Sequence, residues 1–213
     1  MRIKKLPGGV EVIIRDVIYQ QKAWKQGHWY EEAMLLYIRD TYPGGTYIDA
    51  GACIGNHTLC FAKFCAQQVI AVEPIPHNMQ HLKDNVALNG LGNVVTVEAA
   101  LGSQSGQGKM HRFGKHHGNW RLEDGDGVEV TTLDAVAELA DYPITVVKMD
   151  IEGGELEALK GGTRVLTEHK PVLFLELKTG PEQERTGQFL KDFGYEPQKC
   201  FNASPTWEFT CTS

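Results

Sequence analysis

The chain has 213 residues, 42% hydrophobic and 23% charged, which suits one ordinary domain with a buried core. Its 21 basic and 27 acidic residues give a formal charge of −6, which argues against a surface built to neutralise nucleic-acid phosphates. No run approaches the roughly 18 apolar residues that span a bilayer, and no apolar stretch follows the basic start MRIKKLPGGVEV, so a secretory signal is not expected.

Residues 2–6 and 10–14, on either side of Pro7-Gly8-Gly9, predict a short hairpin. Trp29, Ala33, Leu36 and Tyr37 recur at helical spacing, and Pro43-Gly44-Gly45 ends that helix. Residues 1–44 are therefore expected to form a cap, with the main domain over 45–213. There the pattern alternates: strand 46–50, helix 55–65, strand 69–73, helix 77–89, strand 94–98. A less regular insert, rich in Gly and His, covers 102–127, and VEVTTLDAVAELA gives a short strand and helix. Strand 144–151, helix 154–160, strand 172–177 and helix 181–193 follow, and YEPQKCFNASPTWEFTCT reads as a terminal antiparallel pair. Apolar strands alternating with helices predict an α/β fold whose parallel sheet is covered on both faces. The five cysteines (53, 60, 65, 200, 211) are odd in number and lack a Cys-x-x-Cys pair, so reduced thiols in a cytoplasmic protein are expected.

Ligands of such sheets sit beyond the carboxyl ends of the strands, where Gly51, Glu73, Glu98, Asp150 and Glu176 gather. The run Tyr-Ile-Asp-Ala-Gly-Ala-Cys-Ile-Gly-Asn over 47–56 is a strand entering a glycine-rich turn, and Glu73 lies 22 positions after Gly51. That spacing is close to the roughly 20 expected of an acid that holds a ribose hydroxyl pair. Cys53 occupies the position of the middle glycine of the dinucleotide fingerprint, so S-adenosylmethionine suits the turn better than NAD. Asp49 reads either as a helix cap or as an acid near the cationic end of the cofactor. His57 reads either as a cap or as a residue beside ligand-binding backbone N–H groups. In Lys148-Met149-Asp150-Ile151-Glu152-Gly153-Gly154-Glu155, alternation puts Lys148, Asp150 and Glu152 on one face. Charges at the end of a buried strand must pair or do work. His111, His116 and His117 lack zinc spacing, and no metal is expected. There is no Gly-x-Ser-x-Gly elbow for nucleophilic catalysis.

With these residues in place, the chain resembles the FkbM-type family of S-adenosylmethionine-dependent methyltransferases over roughly residues 27 to 177. The pieces run in family order: GHWYEE, IDAGACIGNHTL, VEPIPHNMQHLKDNVALNGL, AALG, VTTLD, VVKMDIEGGELEALKG and PVLFLEL. The resemblance implies a Rossmann-like seven-stranded methyltransferase sheet, mostly parallel with an antiparallel C-terminal strand. It implies that Asp49, Gly51, Gly55, Asn56 and His57 lie along the methionine part of the cofactor, with backbone contacts at Cys53, where the family usually has Asn. Glu73 would hold the ribose beside Pro74 and Asn78, Glu98, Ala99 and Ala100 would flank the adenine, and Asp150 would sit near the methyl group.

The resemblance further implies O-methylation of a hydroxyl on a sugar or natural-product scaffold, so the expected partner is a small-molecule or glycan acceptor; oligomeric state is left open. Asp150 is the first candidate for general base, Glu152 the second and a loop histidine the third. The alternatives are a protein that binds S-adenosylmethionine without catalysis and a nucleic-acid methyltransferase, for which no Asn-Pro-Pro-Tyr-like motif is present. The acceptor pocket is expected between the opening segment (1–30) and the insert (102–127), with Trp120 for stacking and His116, His117 and Asn119 for hydrogen bonds.

Overall fold

The computed structural model describes residues 2–14, 20–112 and 120–212. The chain opens with strands β1 (Arg2–Lys5) and β2 (Glu11–Ile14), then helices α1 (Gln20–Gln26) and α2 (Glu32–Thr41). It continues through β3 (Thr46–Ala50), α3 (Asn56–Phe64), β4 (Gln68–Val72), α4 (Pro76–Leu88) and β5 (Val94–Val97). Strands β6 (Ala100–Leu101), β7 (Gly106–Arg112) and β8 (Trp120–Thr131) form a separate sheet in the order β6-β8-β7. After α5 (Leu133–Ala137) come β9 (Ile144–Met149), α6 (Glu155–Lys160), β10 (Val172–Glu176), α7 (Gly180–Lys191), β11 (Tyr195–Phe201) and β12 (Thr206–Cys211).

The main sheet has seven strands in the order β11-β12-β10-β9-β3-β4-β5. Strands β10, β9, β3, β4 and β5 are parallel neighbours, and β12 runs antiparallel between β10 and β11. This is the expected methyltransferase-type sheet. The chain leaves β3 toward β4 and β5 on one side and returns as β9 and β10 on the other, so the strand order reverses between β3 and β9. A crevice opens at such a reversal.

Alternation along the strands divides the core. Ile48, Ala50, Ile70, Val72, Val147, Met149, Leu173 and Leu175 pack on one face with residues of α5, α6 and α7. Tyr47, Val69, Val146 and Phe174 point the other way, into a cluster with Trp24, Trp29, Met34, Leu35, Ile38, Leu59 and Phe61. Residues of the opening segment thus share a core with the sheet. Each fully buried large side chain there contributes about 1.5–3 kcal/mol relative to exposure.

Two sequence expectations are corrected. The insert over 102–127 is more regular than expected among the described residues: β7 and the long β8 pair antiparallel, with a register shift between Gly108 and Lys109. Most residues of both strands are exposed, so they lack the apolar alternation that marks a half-buried strand; cross-strand hydrogen bonds define them instead. In the opening segment, α2 begins at Glu32, after Trp29, and buries Met34, Leu35 and Ile38 while Leu36 is exposed. The segment is apolar on several faces, so its spacing admitted either phase. The polar helix α1, anchored by buried Trp24, carried no periodic signal. Among the described residues, no helix is long and apolar enough to cross a membrane.

The opening hairpin is tied to α4 by polar side chains at helical spacing. Asn85 Oδ1 accepts the Ile13 N–H at 2.8 Å and Asn85 Nδ2 donates to the Ile54 carbonyl at 3.0 Å. His81 Nε2 lies 3.0 Å from the Ile13 carbonyl oxygen, and Asn89 bonds both backbone groups of Glu11. Asn85 is fully buried. Asn85→Ala would leave two buried backbone groups unpaired, and we expect urea denaturation to show a loss of about 2–4 kcal/mol.

Candidate active site

The site starts where β3 ends. Gly51 N–H donates to the Val72 carbonyl at 2.9 Å and Asp150 N–H to the Ala50 carbonyl at 3.0 Å, lacing together the ends of β4, β3 and β9. Gly51 has φ +78°, and a Cβ placed there would lie 1.9 Å from the Asp150 carbonyl oxygen. Only glycine lets the strand ends approach this closely. The turn then carries the backbone N–H of Cys53 to Glu73 Oε2 at 2.9 Å. Glu73 Oε1 accepts from the Ile75 N–H at 3.0 Å and from Asn78 Nδ2 at 3.2 Å. Burial raises the Glu73 pKa despite these donors, which favour its charged form.

A cleft of about 640 Å³ runs from this turn across the ends of β9 and β10, within the range of small-molecule sites. Near Glu73 its wall includes Val72, Pro74, Ile75, Asn78, Ala99, Ala100 and Leu101. Tyr30 of the opening segment and Met110, Trp120, Arg121 and Leu122 of β7 and β8 also line it. Asp150, Glu152, Glu176, Lys178 and Ser204 supply its charged and polar wall.

Lys148 is the hidden centre of that wall. It is 2% exposed, with Nζ 3.8 Å from both Asp49 Oδ1 and Asp150 Oδ2. Burial alone would lower its pKa, but the charges of Asp150 and Asp49 outweigh burial and raise it. Burial likewise would raise Asp150, and Lys148 together with a hydrogen bond from Glu176 holds it below the usual range. Burial and the charge of Asp150 push Glu176 up to about 8. Carboxylate oxygens of Asp150, Glu152 and Glu176 lie within 4.8 Å of one another, close enough to surround a cation. The ammonium of Lys178 supplies that charge, paired with Glu152 and 2.9 Å from Glu176 Oε2. Glu155, whose pKa burial pushes up to about 7, accepts the Ile151 N–H at 3.0 Å and holds the loop rather than facing the cleft.

Of the residues singled out from the sequence, Gly51, Cys53, Glu73, Pro74, Asn78, Ala99, Ala100, Asp150 and Glu152 line the cleft. Asp49, Gly55, Asn56, His57 and Glu98 do not. Asp49 is fully buried and accepts from Thr58 Oγ1 at 2.6 Å. Asn56 accepts from Trp24 Nε1 and the Tyr30 N–H and donates to the Tyr30 carbonyl, so it positions Tyr30. His57 Nε2 lies 3.0 Å from Glu31 Oε2, below the wall. Glu98 turns outward to Lys83. His116, His117 and Asn119 lie outside the described residues, and His111 is exposed. Tyr30 and Arg121 fall in the segments expected to wall the pocket without being singled out, and sequence reasoning missed Lys178 and Ser204 as cleft residues. A period-2 step from Glu176 past the apolar run VLFLE marks Lys178, whereas Tyr30 and Ser204 reach the cleft only through folding.

The family model described as methyltransferase FkbM domain matches residues 49–197. The chain is 26% identical over 167 residues to hexuronic acid methyltransferase AglP of Haloferax volcanii, covering 76% of this chain and 68% of that protein. Its fold is similar to the crystal structure of methyltransferase FkbM from Methylobacillus flagellatus (TM-score 0.59, 22% identity), covering 78% of this chain. The chain spans 43% of that relative's length. It is also similar to precorrin-6y C5,15-methyltransferase from Geobacter metallireducens, with TM-score 0.57 and 17% identity over 93% of each chain.

The contact at Gly51 gives a direct test of the wall. Gly51→Ala adds a strained φ, worth about 1–3 kcal/mol, to a clash with backbone. Thermal unfolding should shift down by roughly 3–10 °C.

Proposed function

Because the chain belongs to the FkbM methyltransferase family, we propose that it transfers the methyl group of its cofactor, S-adenosylmethionine, to a hydroxyl oxygen of a sugar or similar polyhydroxylated acceptor. One observation supports the reading: a single cleft joins the Glu73 turn to the carboxylates of Asp150, Glu152 and Glu176, with Trp120 and Arg121 in the same wall. The similarity to a hexuronic acid methyltransferase supports the acceptor class.

The residues present fit such a cofactor. The close approach at Gly51 keeps the turn free of side chains, and the largely apolar wall from Val72 to Leu101 suits an adenine ring. Glu73 Oε2, which accepts from the Cys53 N–H alone, keeps acceptor capacity for a ribose hydroxyl. Asp49, Asn56 and His57 act from behind the wall, by holding Lys148, Tyr30 and Glu31. In this reading residues 1–44 cap the transfer domain over 45–213 and contribute Tyr30. When bound, S-adenosylmethionine supplies a methyl carbon already activated by positively charged sulfur.

The remaining task of the chain is alignment, with the acceptor oxygen about 3–3.5 Å from that carbon, and removal of a proton. Trp120 offers a face for a sugar ring, and Arg121 and Lys178 offer donors to acceptor oxygens. The acceptor oxygen forms its new bond to carbon as the carbon–sulfur bond breaks, leaving the electron pair on sulfur. The proton from that oxygen needs a base, a contribution of roughly 10²–10⁴-fold, and Asp150 is the first candidate.

Purified protein with methyl-labelled cofactor should label hexoses or hexuronic acids from a panel of glycosides at oxygen. Label appearing only on nucleic acid would overturn the acceptor class. Glu73→Ala removes charge-assisted hydrogen bonds of about 1.5–3 kcal/mol, so calorimetry should show cofactor affinity reduced roughly 10–150-fold. Asp150→Asn keeps the shape and removes the base. Steady-state kinetics should show kcat falling by roughly 10²–10⁴, a larger loss than any in cofactor affinity.

A further inference from the structure

We propose that Asp150 and Glu176 hold one proton between them in the free protein, release it when the positively charged cofactor binds, and so become the acceptor for the proton that the hydroxyl loses; this rests on the methyl-transfer reading above. The last paired residues of β10 and β9 are Leu175 and Met149. Glu176 and Asp150 come next on adjacent parallel strands, so their side chains leave the sheet on the same side. Their oxygens lie within 4.8 Å and Glu176 is only 7% exposed. Two carboxylates this close in a poorly hydrated wall do not both ionise without compensation.

The compensation present is incomplete. From β3 comes Asp49, from β9 Lys148, from the following loop Glu152, and from beyond β10 Lys178. Four carboxyl groups, counting the pair, therefore face two ammonium groups. The guanidinium of Arg121 also acts on Glu152, the charge of Asp150 acts on Glu155 and the Cys53 thiol, His57 Nε2 lies 3.0 Å from Glu31 Oε2, and Ser204 bonds Glu176 without adding charge. One retained proton reduces the excess, and it resides on the Glu176 side, because Lys148 stabilises Asp150 as the anion.

A bound sulfonium brings one positive charge. It replaces the proton and leaves the net charge of the wall unchanged, so binding and deprotonation are linked. Transfer then removes that charge: the carbon–oxygen bond forms, the carbon–sulfur bond breaks with its pair left on sulfur, and the hydroxyl proton passes to the emptied pair. S-adenosylhomocysteine, with neutral sulfur, has no such linkage.

Calorimetry of S-adenosylmethionine and S-adenosylhomocysteine binding to the full chain, in two buffers of different ionisation enthalpy at pH 7.5, counts the protons exchanged. We expect S-adenosylmethionine to release roughly half a proton more from the wild type than from Glu176→Gln, and S-adenosylhomocysteine to show no such difference. The comparison between variants cancels any proton exchanged by the ligands' own amino groups. Asp150→Asn, which removes the other member, should lose the release in the same way and serves if Glu176→Gln fails to fold. Equal proton counts in the wild type and a folded variant overturn the shared proton while leaving the methyltransferase intact. Failure of the wild type to bind S-adenosylmethionine overturns the methyl-transfer reading as well.

Discussion

A lysine ammonium buried at the carboxyl end of the central strands is the constraint on which the rest of the site depends. Lys148 is tolerated at 2% exposure because register places Asp49 beside it on β3 and Asp150 follows two residues on along β9. Removing the Lys148 ammonium would leave the buried Asp49 carboxylate without its cation, a loss of about 3–5 kcal/mol for such pairs. The same register that buries the ion pair sets Asp150 and Glu176 side by side facing the cleft. Charge balance in the core and charge placement in the site are therefore one arrangement.

Three of the five non-glycine residues with positive φ among the described residues lie around this arrangement. Cys53, Glu152 and Glu31 all have positive φ, at 53°, 59° and 58°. Non-glycine residues hold that conformation at a cost, and it persists only where the surroundings impose it. Glu73 fixes the Cys53 amide, Lys178 fixes the Glu152 carboxylate, and His57 sits against Glu31. Asn adopts the left-handed region more readily than most residues. Cys53 keeps its backbone contact to Glu73 in a conformation that Asn would adopt more readily.

The opening segment does more than cover apolar surface. Trp24 and Tyr30 are held by the single side chain of Asn56, and the hairpin is strapped to α4 by Asn85, Asn89 and His81. These bonds connect the hairpin, Trp24 and Tyr30 to α3 and α4, the helices that follow β3 and β4. Tyr30 enters the cleft as a consequence of that attachment.

Much of the fold was legible locally. The apolar runs at 46–50, 69–73, 144–151 and 172–177 are buried on both faces of the sheet, so composition alone marks them, and Pro and Gly punctuation marks the turns. Gly51, Glu73, Asp150 and Glu152 were legible because each ends or follows such a strand, and strand ends are where ligands bind. The exposed strands β7 and β8 were not, since no buried face imprints a period on them. Nor were His81 and Asn85, buried polar residues of α4 that resemble a solvated helix face until the hairpin covers it. Which charges meet was decided by strand order. Asp49, Asp150 and Glu176 come from three separate stretches of sequence, and only parallel pairing of β3, β9 and β10 brings Lys148 to 3.8 Å from Asp49 and Asp150 to within 4.8 Å of Glu176. The sequence determined which side chains reach the end of the sheet; tertiary structure alone decided their partners, because short-range electrostatics depends on distances between strands that local pattern does not encode.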